Sequence, residues 1–147
     1  MAPRGQFFDA PRHGLGYNAP MLELSVSGHL EVAHFMSDFP EGHPNRRMHG
    51  HSYFIILTLA TLDDCDVVED FDSLKSKMDS ILKTYDHTCV NDWDIPTQKP
   101  TMENMCRFFW KIFSKEFPHL SKVELQRPTL GMRVSYIGKT EKRGSTS

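Results

Sequence analysis

Hydrophobic positions along this chain change their period twice. In "LELSVSGHLEV", Leu22, Leu24, Val26, Leu30 and Val32 fall on alternate positions, which predicts a half-buried strand with a bulge at Gly28. His34 shares that parity. After the loop "MSDFPEGHPNRR" the alternation resumes. His49, His51, Tyr53, Ile55, Leu57 and Leu59 share one face of a second strand, so the two strands predict a long hairpin. Beyond "DDCDVV" the period becomes 3.6. Phe71, Leu74, Met78, Ile81, Leu82 and Tyr85 trace one stripe, with Asp70 or Asp72 as cap, predicting a helix over about residues 71 to 86. A second stripe of Met105, Phe108, Phe109, Ile112, Phe113 and Phe117, capped by Thr101 and stopped at Pro118, predicts another. "KVELQR" and "GMRVSYIGK", split by "PTLG", predict a closing hairpin.

The order ββααββ is that of an α+β domain. A doubly wound parallel sheet needs strands and helices in alternation, so the expected architecture is a four-stranded antiparallel sheet with two helices on one face. The sheet's other face and its edges need cover, and a second copy of the chain is the natural candidate. The domain is expected over residues 21–139. Residues 1–20, with three prolines and three glycines in no period, predict a flexible arm, and residues 140–147 a disordered tail.

Composition narrows the class. A chain of 147 residues, 39% hydrophobic and 24% charged, fits one globular domain. A net charge of -2 from 17 basic and 19 acidic side chains supplies no field for gathering nucleic acid or an anionic membrane. Cys65, Cys89 and Cys106 form no CxxC pair and no disulfide framework, which points to a reducing compartment. No apolar run approaches the roughly 20 residues of a membrane span, and the first residues lack a signal-peptide core, so a cytoplasmic protein is expected.

The chemistry begins at "HGH". Residues i and i+2 of a strand project from one face with Cα atoms about 6 to 7 Å apart, close enough for two imidazoles to meet one ion. His49 and His51 satisfy that spacing, and antiparallel pairing brings His34 to the same point. Three neutral nitrogens with one open position describe a catalytic zinc site. Set against this, a histidine on a strand is commonly a structural or solvated residue.

The motifs "LEVAH", "HGHSY", "VVEDFDSLK", "YDHTCVND" and "PTMEN", in this order, resemble the 6-pyruvoyl-tetrahydropterin synthase and 6-carboxy-tetrahydropterin synthase (QueD-type) family from about Leu22 to Tyr136. The resemblance implies a tunnelling fold (T-fold), whose subunits join sheets edge to edge into an oligomeric barrel, usually a homohexamer built as a dimer of trimers. It implies a small-molecule substrate and Zn2+ held by His34, His49 and His51. It also implies an Asp86-His87 pair in which the carboxylate orients a proton-moving imidazole. Taken alone, that pair reads more readily as a helix end with His at the C-terminal dipole.

Two departures accompany the resemblance. The family's proton-accepting cysteine falls on Asn45 in one branch and on His43 in the other; an amide cannot accept a proton at neutral pH, whereas an imidazole can. The family's pterin-binding glutamate falls on Pro128, preceded by Arg127. Proline offers no acceptor, and arginine favours a carboxylate or enolate over a donor-rich pterin edge.

The leading expectation is therefore a zinc-dependent lyase or cyclase working on a carbonyl-containing substrate other than a pterin, by dehydration, isomerisation or ring closure through an enolate. Its expected catalytic residues are Asp86, His87 and His43, and its substrate-binding residues Asn45, Tyr53, Thr101, Glu103 and Arg127. One alternative is an authentic pterin synthase in which His43 replaces the cysteine. Another is a non-catalytic zinc-containing binding protein.

Overall fold

A computed structural model describes residues 21–62 and 65–138. The arm expected at 1–20 and the tail expected at 140–147 lie outside the described residues. Strands β1 (Met21–His34) and β2 (His49–Leu62) form the long antiparallel hairpin, paired without interruption from Met21 opposite Leu62 to His34 opposite His49. Helix α1 (Phe71–Tyr85) follows, then the short β3 (Thr88–Cys89), helix α2 (Met102–Glu116), β4 (Leu120–Arg127) and β5 (Met132–Ile137).

The sheet has five strands in the order β3-β1-β2-β4-β5, one more than the periodicity predicts. β3 is two residues long and parallel to β1, Thr88 beside Val32 and Cys89 beside Ala33. Two residues carry no period, so this element has no sequence signature. The other four strands pair antiparallel as expected.

Both helices cover the face that bears the alternating apolar residues, α1 over β1 and α2 over β4 and β5. Asp70 caps α1 by accepting from the Ser73 N–H at 2.7 Å, and the Thr101 hydroxyl caps α2 by accepting from the Asn104 N–H at 3.3 Å. Leu30, Ile55, Leu57, Met78, Met105, Phe109, Phe113, Val123 and Leu125 are all fully buried between the layers. Burying each such side chain stabilises the fold by about 1.5–3 kcal/mol.

Two expectations need correction here. Gly28 forms no bulge; it stays in register opposite Ile55, and the irregularity in this sheet falls at Thr58/Leu59. Glycine at 28 serves a close approach of α1: a Cβ there would lie 2.3 Å from Leu82 Cδ1, and the Leu82 side chain would have to shift. Phe71, placed on the apolar stripe of α1, is the first residue of the helix and 59% exposed, and burial along the stripe begins one turn later at Leu74, Met78 and Leu82.

Candidate active site

The hairpin register brings His34, His49 and His51 together. His34 pairs with His49 and Val32 with His51, so all three imidazoles stand on the helix-covered face at one end of the hairpin. Their ring centroids are 4.5–4.9 Å apart, and one nitrogen from each ring lies within 4.8 Å of the others.

Two of the rings are oriented from behind. His34 Nδ1 lies 2.8 Å from the Pro100 carbonyl oxygen and His49 Nδ1 lies 2.6 Å from that of Arg47. A carbonyl only accepts, so each Nδ1 carries the proton and each Nε2 presents a lone pair. His34 Nε2 is buried with no hydrogen-bond partner. An orphaned buried acceptor is costly until a donor or a cation meets it, and a metal ion suits a nitrogen that has two further imidazole nitrogens within reach. Burial, then the Arg127 guanidinium and the neighbouring imidazoles, hold His51 down to about 4. Burial likewise lowers His34, against an opposing contribution from its Pro100 bond. Neutral nitrogen ligands converging in this way suit zinc.

Tyr53 continues the same face. It is 1% exposed, its ring 5.9 Å from His51, and burial pushes its hydroxyl up to about 12, so it is a neutral donor at physiological pH.

Arg127 ends β4 on this face. Phe54 pairs with Gln126 and Ile55 with Leu125, so the register continued by one residue sets Arg127 beside Tyr53. Its charge reaches His34, His51 and Tyr53. Pro128, by contrast, begins an exposed 3-10 turn, Pro128–Leu130. The side chain at the site is thus Arg127. Glu124 pairs with Ile56 on the opposite face, where Lys122 at 3.4 Å, Arg133 at 3.5 Å and the Ser135 hydroxyl surround it.

Asp86 caps the end of α1, and His87 follows with φ 59, a left-handed conformation where glycine is the usual occupant. One Asp86 oxygen accepts the Glu31 N–H at 2.8 Å and the other accepts His87 Nδ1–H at 2.8 Å. These bonds hold the Asp86 carboxyl below its usual range, the Glu31 amide most strongly, and they leave His87 Nε2 as a lone-pair site. The His87 side chain is 78% exposed. His87 and His51 border one cavity of about 610 Å³, together with Glu31, Met48, Ser52 and Cys89.

The remaining expected residues are placed as follows. His43 and Asn45 occupy the loop between β1 and β2; the His43 ring packs on Phe39 at 4.4 Å and its Nδ1 accepts the Asn45 N–H at 3.1 Å. Those contacts tie His43 to its own loop. Thr101 spends its hydroxyl on the α2 cap, directly after Pro100, and Glu103 is exposed in the first turn.

Sequence reading missed the residues that hold these groups in place. Asn104 donates from Nδ2 to the carbonyls of Pro96 and Lys99, both at 3.0 Å, and so fixes the segment whose next carbonyl, Pro100, orients His34. Asn91 clamps Phe35, the residue after His34, accepting its N–H and donating to its carbonyl, both at 3.0 Å. Both asparagines lie inside quoted motifs, "VND" and "MEN", but which backbone groups they hold is decided by packing, and no periodicity marks it.

Comparison with known proteins places the chain in a family and a fold. Over 73 residues the chain is 36% identical to the 6-carboxy-5,6,7,8-tetrahydropterin synthase of Bacillus subtilis, a match to 48% of this chain and 47% of that protein. The match thus spans about half the length of this curated relative. The structure of Caenorhabditis elegans 6-pyruvoyl tetrahydropterin synthase superposes with a TM-score of 0.67 at 21% identity, covering 84% of this chain and 99% of that one. The Plasmodium falciparum 6-pyruvoyl tetrahydropterin synthase superposes with a TM-score of 0.56 at 18% identity, covering 80% and 99%. At these identities the structural likeness concerns the fold. The sequence profile of the 6-pyruvoyl tetrahydropterin synthase family matches residues 23–138, four-fifths of the molecule, and on that match the chain belongs to the 6-pyruvoyl tetrahydropterin synthase family.

Proposed function

We propose that this protein is a zinc-dependent lyase or cyclase that acts on a carbonyl-containing substrate other than a pterin, by dehydration, isomerisation or ring closure. The observation that carries the reading is the convergence of His34, His49 and His51, with the buried His34 Nε2 left without a partner. Zinc bound there would supply Lewis-acid polarisation of a substrate oxygen.

The chain's own groups supply the rest. Tyr53 offers a neutral hydroxyl next to the triad, suited to donating a hydrogen bond to an oxygen that gains negative charge. Asp86 holds His87 with its proton on Nδ1, which presents Nε2 as the atom that takes up or delivers a proton. Arg127 stabilises anionic groups on the substrate. Asn45 stands where a pterin synthase of this family is expected to place its cysteine, and neither it nor Arg127 suits the pterin reaction. A hexamer built as a dimer of trimers fits a sheet with open edges.

The second reading, an authentic pterin synthase using His43, draws on the name of the Bacillus subtilis relative. Incubation of the zinc-loaded protein with dihydroneopterin triphosphate separates the two. The expected result is little or no side-chain cleavage, about 10²- to 10⁴-fold below a cysteine-bearing enzyme, as for loss of a general base. Robust turnover that His43→Ala abolishes would install the second reading instead.

A further inference from the structure

Among the described cationic side chains Arg127 is set apart by where it stands: Arg47, Lys83 and Lys115 also form no ion pair, but they are exposed, whereas Arg127 is half-buried. Arg133 is paired with Glu124, Arg46 donates to the carbonyls of Ser37 and Phe39, and Arg107 donates to Asn104. Arg127 forms no ion pair among the described residues. It is half-buried at the end of β4, on the face that carries Tyr53, His51 and His34, beside a full set of neutral groups. A partly desolvated guanidinium with no counter-charge is unfavourable by itself, and its planar fork matches a carboxylate in a two-bond geometry.

We propose that Arg127 is the anion anchor of this site and that the substrate is a small oxo- or hydroxy-carboxylate, its carboxylate on Arg127 and its carbonyl or hydroxyl oxygen towards His34, His49 and His51. The inference rests on the reading of the triad given above and names the substrate class for it. Two features agree with the choice. The register sets Arg127 beside Tyr53, two positions along β2 from His51, so the anchor and the triad share one end of one face. The only acidic side chain on the nearby part of β4, Glu124, is turned to the other face and already neutralised by Lys122 and Arg133, so nothing there competes for the guanidinium.

The test is calorimetric titration of the full-length protein, zinc-loaded and metal-free, with pyruvate and levulinate, and with their methyl esters as uncharged controls. These two acids set the carboxylate at different distances from the carbonyl. At least one acid should bind about 10-fold or more tightly than its ester, as expected for a charge-assisted pair. Arg127→Gln should erase that preference, and Arg127→Lys, which keeps the charge, should retain part of it. Equal binding of acid and ester, or a preference that survives Arg127→Gln, would overturn the assignment. Metal content measured on the same samples keeps the two ideas apart. A protein that takes up no zinc yet shows an Arg127-dependent preference supports the anchor and removes the zinc reading; a zinc-loaded protein without the preference does the reverse.

Discussion

His34 donates its Nδ1–H to the carbonyl oxygen of Pro100, 66 positions further along the chain and 2.8 Å away. The bond sets the tautomer of the ring and aims its other nitrogen at His49 and His51. It also ties the end of β1 to the start of α2, so the histidine cluster and the two-layer packing depend on one another.

If the triad holds the ion, the purified protein should carry one zinc per subunit, and His49→Ala should lose it. Metal analysis by mass spectrometry reads the outcome directly. A His49→Ala protein that is folded and retains a full complement of zinc would remove the metal assignment.

Removing the support behind a ligand should weaken binding without abolishing it. Asn104→Ala frees the carbonyls of Pro96 and Lys99, and with them the position of Pro100. Zinc affinity should fall about 10- to 100-fold in a competition titration with a chromophoric chelator, as when a hydrogen bond behind a metal ligand is lost.

The pH response has a definite sign. His51 is held down to about 4 in the folded chain, below the 6.5 of an ordinary imidazole, so the unfolded chain takes up a proton that the folded chain refuses. Stability of the metal-free protein should therefore be intact above about pH 6.5 and decline as pH falls through that value towards 4. Denaturant midpoints measured from pH 7 to 4 check this; a midpoint that rises on acidification would contradict it.

His87 should show a conflict between fold and chemistry. At φ 59 the backbone there favours glycine, so His87→Gly should leave stability unchanged or raise it by up to about 1 kcal/mol. The same substitution removes the imidazole that Asp86 orients, and turnover of the natural substrate should drop about 10²- to 10⁴-fold. A variant that is destabilised yet fully active would refute the assigned role.

Assembly is the fifth expectation. β3 pairs with only Val32 and Ala33, leaving most of the outer edge of the 14-residue β1 open among the described residues. At the other edge Met132 is 50% exposed and Ile137 65% exposed. Light scattering should give a hexamer, or at least a trimer, and Ile137→Lys should shift the mass downward. A monomer at micromolar concentration would rule out the closed barrel.

Much of this was legible in the order of residues. Alternation over "LELSVSGHLEV" and "HGHSYFIILTL" named two strands and the face each buries, because side chains in a strand have a period of two whatever packs on them. That parity alone placed His34, His49 and His51 together. The caps Asp70 and Thr101 were readable for the same reason, since a cap is completed within three residues.

Other features had no local signature. Gly28 reads as a bulge until Leu82 is seen above it, and Phe71 reads as core until the end of the packed layer is known. Arg127 was expected at the site from its place before Pro128, but only the β2–β4 register shows that it lies on the face of Tyr53 while Pro128 begins an exposed turn.

The sequence by itself determined the elements, their faces and the three imidazoles, because periodicity and capping are properties of neighbouring residues. Only the tertiary structure decided the tautomer of His34, the left-handed backbone of His87 and the lack of an ion pair at Arg127 among the described residues. Each of these depends on a partner, or the lack of one, brought near by packing between segments far apart in the chain.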